Sequence, residues 1–169
     1  MTEVRRATGA DAMAVAEVHV RAWQHAYRGL LPDDYLDGLD PTERAARYRL
    51  DDRDPAAART LVAVGSGAIV GFATTTPCRD DDGAGLGELA ALNLDPTVWR
   101  QGIGTLLIDA AGADLREAGF TDAVLWVMDG NDRAERFYAH HGWQADGTRR
   151  TAEVWGTLAA EHRLRRPLG

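Results

Sequence analysis

The stretch Leu92-Asn93-Leu94-Asp95-Pro96-Thr97-Val98-Trp99-Arg100-Gln101-Gly102-Ile103-Gly104-Thr105-Leu106-Leu107 decides how the chain is read. Its first residues close an apolar run, Leu86 to Leu94, that has the length and bounds of a strand. Its last residues open a helical face made of Ile103, Leu106, Leu107, Ala110, Ala111, Leu115 and Ala118, with Gly119 placed as the C-terminal stop. Between them, Gly102 and Gly104 sit where a helix begins. Backbone N–H groups there are unpaired and carry the positive end of the helix dipole, which suits a diphosphate. Glycine at both positions lets phosphate oxygens approach without a Cβ in the way, and Arg100 adds a charge-assisted contact. The turn is not a dinucleotide fingerprint, because Leu107 stands at the third glycine's place, and no Gly-Lys-Ser/Thr makes it a P-loop. The plain alternative is a glycine turn ahead of a core helix.

Downstream, Val124-Leu125-Trp126-Val127-Met128 is a continuous apolar run, the mark of a central strand. The strand-helix-strand from Leu86 to Met128 therefore calls for a right-handed parallel crossover. Asn131 caps a further helix that Gly142 ends, and Gln144 to Leu168 holds two strands parted near Gly156. Upstream, a short extended segment, Val4 to Ala7, precedes a helix capped by Thr8 or Asp11, with an apolar stripe of Met13, Ala16, Val20, Trp23 and Tyr27. Arg28 to Pro32 ends it, and Asp40 and Pro41 start a second helix. Arg59–Val64 and Ala68–Thr76 flank Gly65-Ser66-Gly67 as a hairpin, and Asp80 to Gly85 reads as a solvated loop. The order is β-α-α-β-β-β-α-β-α-β-β, with no repeat or linker, so residues 1–169 read as one domain.

The formal charge of −7 disfavours a phosphate backbone as partner and weakly favours cationic substrates. No apolar run reaches the roughly 20 residues that cross a bilayer, and no signal peptide stands at the start, so the expected location is cytoplasmic. Cys78 is the only cysteine, which rules out an internal disulfide or a thiolate metal cluster. It reads as a small buried hydrophobe rather than a nucleophile. The histidines lack chelating spacing and no metal is expected; His140 or His141 could tune a neighbouring tyrosine hydroxyl. All of the Lys/Arg positions are Arg, so no P-loop or Schiff-base lysine exists.

Leu92 to Pro96, then Trp99 to Gly104, then Leu106-Leu107, resembles the acetyl-CoA-binding motif of the GNAT superfamily of N-acetyltransferases. That motif is a strand ending near a proline, followed by Arg/Gln-x-x-Gly-x-Gly/Ala opening a helix. Trp99 departs from the family's Arg or Gln at the first position. Asn131 to Trp143 is similar to the second signature, in which an Asn opens a helix that carries Phe-Tyr and ends in Gly plus an aromatic. The resemblance is firm from about Leu86 to Trp143 and holds upstream in element order. It implies a mixed α/β domain whose twisted, mostly antiparallel sheet has six to seven strands, is flanked by about four helices, and splays at the acetyl-CoA site between the strands ending near Leu94 and Met128. Acetyl-CoA is then the cosubstrate. Its contacts are implied at Leu92, Asn93, Leu94, Trp99, Arg100, Gln101, Gly102, Ile103, Gly104, Thr105 and Asn131.

Asn131 and Tyr138 lie seven apart and share a helical face, with Ala134 and Glu135 between them. The resemblance implies that the Asn amide bonds the pantetheine arm and that Tyr138 protonates the departing thiolate. A half-buried aromatic with its hydroxyl at the surface is the plain alternative. Acyl transfer also needs a free amine, and a lysine-like ammonium costs roughly 4–5 kcal/mol to deprotonate at pH 7. Glu88, fourteen residues before Gly102, is the candidate base, provided that burial raises its pKa or a water relays the proton. A solvated strand-edge carboxylate is the alternative. Main-chain amides of Leu92, Asn93 and Leu94 are the implied donors to the thioester carbonyl. Trp23 and Tyr27 either wall the acceptor pocket or pack the core. The expected reaction is direct acetyl transfer to a primary amine of a small molecule, with a peptide or protein N-terminus second and a non-catalytic CoA sensor as rival. Neither nucleic acid nor membrane is an expected partner, and a homodimer is left open.

Overall fold

The computed structural model describes residues 1–169. The elements run β1 (Thr2–Arg6), α1 (Ala12–Ala26), α2 (Asp33–Asp37), α3 (Pro41–Ala45), β2 (Arg59–Gly65), β3 (Ala68–Pro77), β4 (Gly87–Leu94), α4 (Ile103–Glu117), β5 (Asp122–Met128), α5 (Asp132–His140), β6 (Gln144–Val154) and β7 (Thr157–Pro167). The seven strands form one sheet in the order β1-β2-β3-β4-β5-β7-β6, antiparallel except at β4–β5. The fold is the mixed α/β sheet with flanking helices that the sequence implied, with five helices rather than four. No helix is long and apolar enough to cross a membrane.

Two layers of helix cover the sheet. On one face α4 drives Ile103, Leu107, Ile108, Ala111 and Leu115 against Ala63, Ala73, Leu89 and Leu125, and α5 adds Ala134, Phe137 and Tyr138 at the margin. Full burial of a leucine such as Leu107 stabilises by about 1.5–3 kcal/mol. Asp114 locks α4 in place, accepting from Thr75 Oγ1 at 2.6 Å and from Arg59 Nε at 2.8 Å. On the other face Val15 and Val18 of α1 meet Val62 and Phe72, while Trp23, Leu31 and Leu36 meet Met128 and Ala159.

The β2–β3 turn is the expected hairpin, with Ser66 and Gly67 both at positive φ. Asp40 caps α3 by accepting from the Thr42 amide at 2.8 Å. Three expectations need correction. Met13 and Leu106, placed on apolar stripes, are exposed at 42% and 45%; the sheet instead receives Val15, Val18 and His19 of α1 and Ile108 of α4. The α2 turn was not foreseen. The Asp80–Gly85 loop is anchored rather than merely solvated, since Arg163 Nη1 donates to Asp80 at 3.1 Å and to Asp82 at 2.7 Å.

The β4–β5 ladder holds only Gly87↔Ala123 and Glu88↔Val124. Just beyond it, Thr74 faces Ala91 but Thr75 faces Leu89, which makes Ala90 an extra residue in β4. Such a bulge sharpens the local twist. It swings Leu92–Leu94 away from β5 and opens the sheet where splaying was expected.

Candidate functional site

The gap between β4 and β5 leaves backbone groups without ladder partners. Asp95 N–H bonds Val70 O at 2.8 Å, so by the two-residue alternation of an antiparallel pair the Asn93 amide points to β3. The amides of Leu92 and Leu94 point into the gap. Asn93, expected to join them, therefore offers no donor there.

At the mouth of the gap the chain turns through Pro96–Val98 into α4. Arg100 and Gly102 adopt positive φ, 63° and 81°, and no side chain caps α4. The amides of the first turn are thus available to an anion. A Cβ at Gly102 would meet nothing within 4 Å, whereas one at Gly104 would lie 3.1 Å from the Phe137 ring. Gly104 therefore serves the packing of α5 on α4. Ile103 is buried, so only its amide can serve a ligand. Gln101 Nε2 donates to Thr97 O at 3.2 Å, and Thr105 Oγ1 lies 3.2 Å from His141 Nε2. His141 Nδ1 meets Phe137 O at 2.8 Å, so Nδ1 carries the proton and Nε2 accepts from Thr105. That histidine is tied to α4 rather than to the Tyr138 hydroxyl.

Across the gap, Asn131 Oδ1 caps α5 by accepting from the Ala134 amide at 3.3 Å, which leaves its NH₂ group to donate. Tyr138 is half-buried, and burial, then the neighbouring Tyr27, push its pKa well above the ordinary phenol range. It is a protonated donor at neutral pH. Tyr27 rises to about 12 through burial and the Glu161 carboxylate, against the pull of Asn131. Tyr27, Asn131 and Tyr138 thus share one corner. Trp23 packs edge-on against Tyr27 from behind and is buried with His19 and Trp155 as core. Glu135 turns from the Asn131–Tyr138 face and pairs with His162 of β7.

Glu88 is half-buried at the closed end of the gap and has no ion-pair partner. Burial and the adjacent Asp80 raise its pKa, against the pull of Arg150. The Thr76 hydroxyl, directly opposite in register, is buried and without a hydrogen-bond partner. No sequence signal marked Thr76, because the pairing joins two strands. Around these residues lie Trp126, whose Nε1 donates to Asp80 at 3.1 Å, and Arg150, 3.9 Å from the Trp126 ring. Cys78 is pushed up to about 11 by burial and stays a thiol. A separate polar hollow of about 410 Å³, lined by Asp129, Glu135, Arg149 and His162, lies between α5 and the β6–β7 hairpin, where Arg149 pairs with Asp129 and His162 meets both Asp129 and Glu135.

This chain is similar to several known proteins. The model of the acetyltransferase (GNAT) family matches residues 18–143. The N-acetyltransferase YuaI of Bacillus subtilis (strain 168) is 31% identical over 136 residues, or 78% of this chain and 74% of that protein. Mycothiol acetyltransferase of Acidimicrobium ferrooxidans is 32% identical over 139 residues, 82% of this chain and 42% of its own length. Among solved structures, the PaiA N-acetyltransferase from Thermoplasma acidophilum in complex with coenzyme A has a TM-score of 0.78 at 19% identity, covering 99% of both chains. YncA of Salmonella typhimurium, with its cofactor acetyl-CoA, has a TM-score of 0.75 at 20% identity, covering 100% of this chain and 95% of that one. At these identities the structural likeness is one of fold.

Proposed function

Because the chain belongs to the GNAT acetyltransferase family, we propose that it moves an acetyl group from acetyl-CoA directly onto a primary amine of a small molecule. The observation that carries this reading is the pairing of an uncapped α4 N-terminus with the open β4–β5 gap; Tyr138, a protonated donor on the α5 helix that follows β5, supports it. An uncapped helix start with empty space at Gly102 fits a diphosphate, and the gap fits a slender arm beyond it. Bound acetyl-CoA supplies an acyl group activated as a thioester.

The chain's own residues then have defined tasks. Amides of Ile103, Gly104 and Thr105 hold the diphosphate end, and the Asn131 NH₂ group donates to the arm. The Leu92 and Leu94 amides donate toward the carbonyl oxygen. Glu88, whose raised pKa brings it nearer the working pH, accepts the proton that an ammonium must lose. Tyr138 keeps a proton at its hydroxyl for the departing sulfur. Relatives named mycothiol acetyltransferase support a small-molecule acceptor.

Thiol release from acetyl-CoA over a panel of amines tests the proposal. Wild-type protein is expected to release thiol with a subset of small amines. Tyr138→Phe is expected to lower kcat by about 10²–10⁴ with acetyl-CoA affinity nearly unchanged. Thermal shift with acetyl-CoA, NAD and ATP should show stabilisation by acetyl-CoA alone. Release no faster than background with every amine would leave a CoA-binding sensor as the better reading.

A further inference from the structure

We propose that the Arg133 guanidinium is a coenzyme-binding group, positioned by Trp99 to hold the diphosphate of acetyl-CoA over the start of α4. This rests on the acetyl-CoA reading above and adds a residue to it.

Trp99 opens the phosphate turn, and three elements meet on its indole. Its Nε1 donates to Leu94 O at 3.2 Å, which pins the ring to the end of β4. His25, near the end of α1, meets the ring edge-on with centroids 4.7 Å apart. From the first turn of α5, the Arg133 guanidinium carbon lies 3.0 Å from the ring centroid. The pair reaches from the turn to α5, across the mouth of the gap. Stacking covers one face of a guanidinium and leaves its N–H donors, which lie in its plane, free to bond elsewhere. Arg133 makes no hydrogen bond or ion pair, although Asp132 precedes it in the first turn of α5; the residue is exposed, and the partial desolvation of its guanidinium lowers its titration.

That placement is unfavourable for the protein alone. A cation in the first turn of a helix opposes the helix dipole. Here it also stands near the uncapped start of α4. An anion resolves both costs, since it meets two sets of donors at once. Trp99 is uncharged and Gln101 is tied to Thr97 O, so Arg100 is the turn's only other cation. In the reading above the turn that Trp99 begins would hold the diphosphate, so Arg133 is assigned to that group rather than to the 3′-phosphate.

Calorimetric titration of Arg133→Gln and Arg133→Lys with acetyl-CoA and with 3′-dephospho-acetyl-CoA tests the assignment, alongside turnover of S-acetyl-pantetheine, which has no phosphate. Arg133→Gln is expected to weaken both coenzymes alike, by about 10- to 100-fold, as one charge-assisted hydrogen bond predicts. The increase falls on KM rather than kcat, is absent with S-acetyl-pantetheine, and is partly recovered in Arg133→Lys. Trp99→Leu is expected to cost part of the same affinity, and Arg133→Gln to cost less on that background than alone. Unchanged acetyl-CoA affinity in Arg133→Gln overturns the proposal. A loss confined to the 3′-phosphorylated coenzyme overturns the diphosphate assignment, and an equal loss with S-acetyl-pantetheine marks a merely structural role. Additive losses remove Trp99 from it. Failure of the wild-type protein to bind acetyl-CoA would instead sink the proposed function itself.

Discussion

Glu88 carries a carboxylate where folding disfavours its charge: it is half-buried, beside Asp80, and unpaired. In the role proposed for Glu88, that placement would tie activity and stability to the same proton. A base works when ionised, so kcat/KM is expected to fall as pH drops through the raised Glu88 pKa. Glu88→Gln should lower the plateau by about 10²–10⁴ and abolish that acidic limb. Stability runs the other way. A carboxyl whose folded pKa lies above its unfolded value binds its proton more tightly when folded, so stability is lost as pH rises through the folded pKa. Glu88→Gln should therefore melt higher than wild type at pH 8 and no differently at pH 4, read by calorimetry. A variant that keeps both its activity and its acidic limb would identify Glu88 as an ordinary structural carboxylate. His19 shows the contrasting case: burial lowers it to about 3, and its Nδ1 bonds the Tyr48 hydroxyl at 2.8 Å, so it stays neutral and takes no part in proton transfer.

At the scale of elements, α4 and α5 act as one body because Gly104 lets the Phe137 ring approach the first turn of α4. Gly104→Ala would place a methyl about 3.1 Å from that ring and push α5 away from the start of α4. The expected cost is about 1–3 kcal/mol in urea unfolding, as for other overpacked sites, together with a higher KM for acetyl-CoA. Gly104 was legible in the sequence as a special position, but the Phe137 contact was not: a motif reveals that a side chain is excluded, not all that excludes it. Elements were legible where their signals are local. The α3 cap at Asp40, the α5 cap at Asn131, the stop at Gly142 and the turn before Gly156 all lie within a few residues of what they control. The α2 helix escaped because Asp33–Asp37 is too short for a 3.6-residue period to show. Met13 and Leu106 were misplaced because a stripe tells which residues are apolar, while the partner sheet selects which of them it covers.

At the scale of the molecule, the least legible feature is the ion network around Arg163, whose members lie far apart in sequence. Arg163 of β7, 5% exposed at its side chain, meets Asp146 of β6 at 2.6 Å and Asp80 and Asp82 of the β3–β4 loop at 3.1 and 2.7 Å. It therefore fastens the loop beside Glu88 to the opposite half of the sheet. Arg163→Met leaves these carboxylates facing one another and should cost about 3–5 kcal/mol at neutral pH. Acid provides the discriminating measurement. Arg163 holds Asp82 below the usual carboxylate range; at Asp146 burial pulls the other way, but hydrogen bonds from Thr148 and Arg163 outweigh it. Groups with depressed folded pKa values contribute stability that is present above the unfolded pKa, about 3.8 here. That stability is lost as pH falls through the folded values. Wild-type melting temperature should therefore drop steeply below about pH 4, where Asp11, lowered to about 2 by Arg5, behaves in the same way. In Arg163→Met the Arg163 share of the Asp82 and Asp146 contributions is already gone, while Thr148 still holds Asp146, so its curve should fall less and converge on that of wild type as both carboxyls protonate. Two curves that stay parallel down to pH 2 would mean that Arg163 acts by packing against Trp126 rather than by charge.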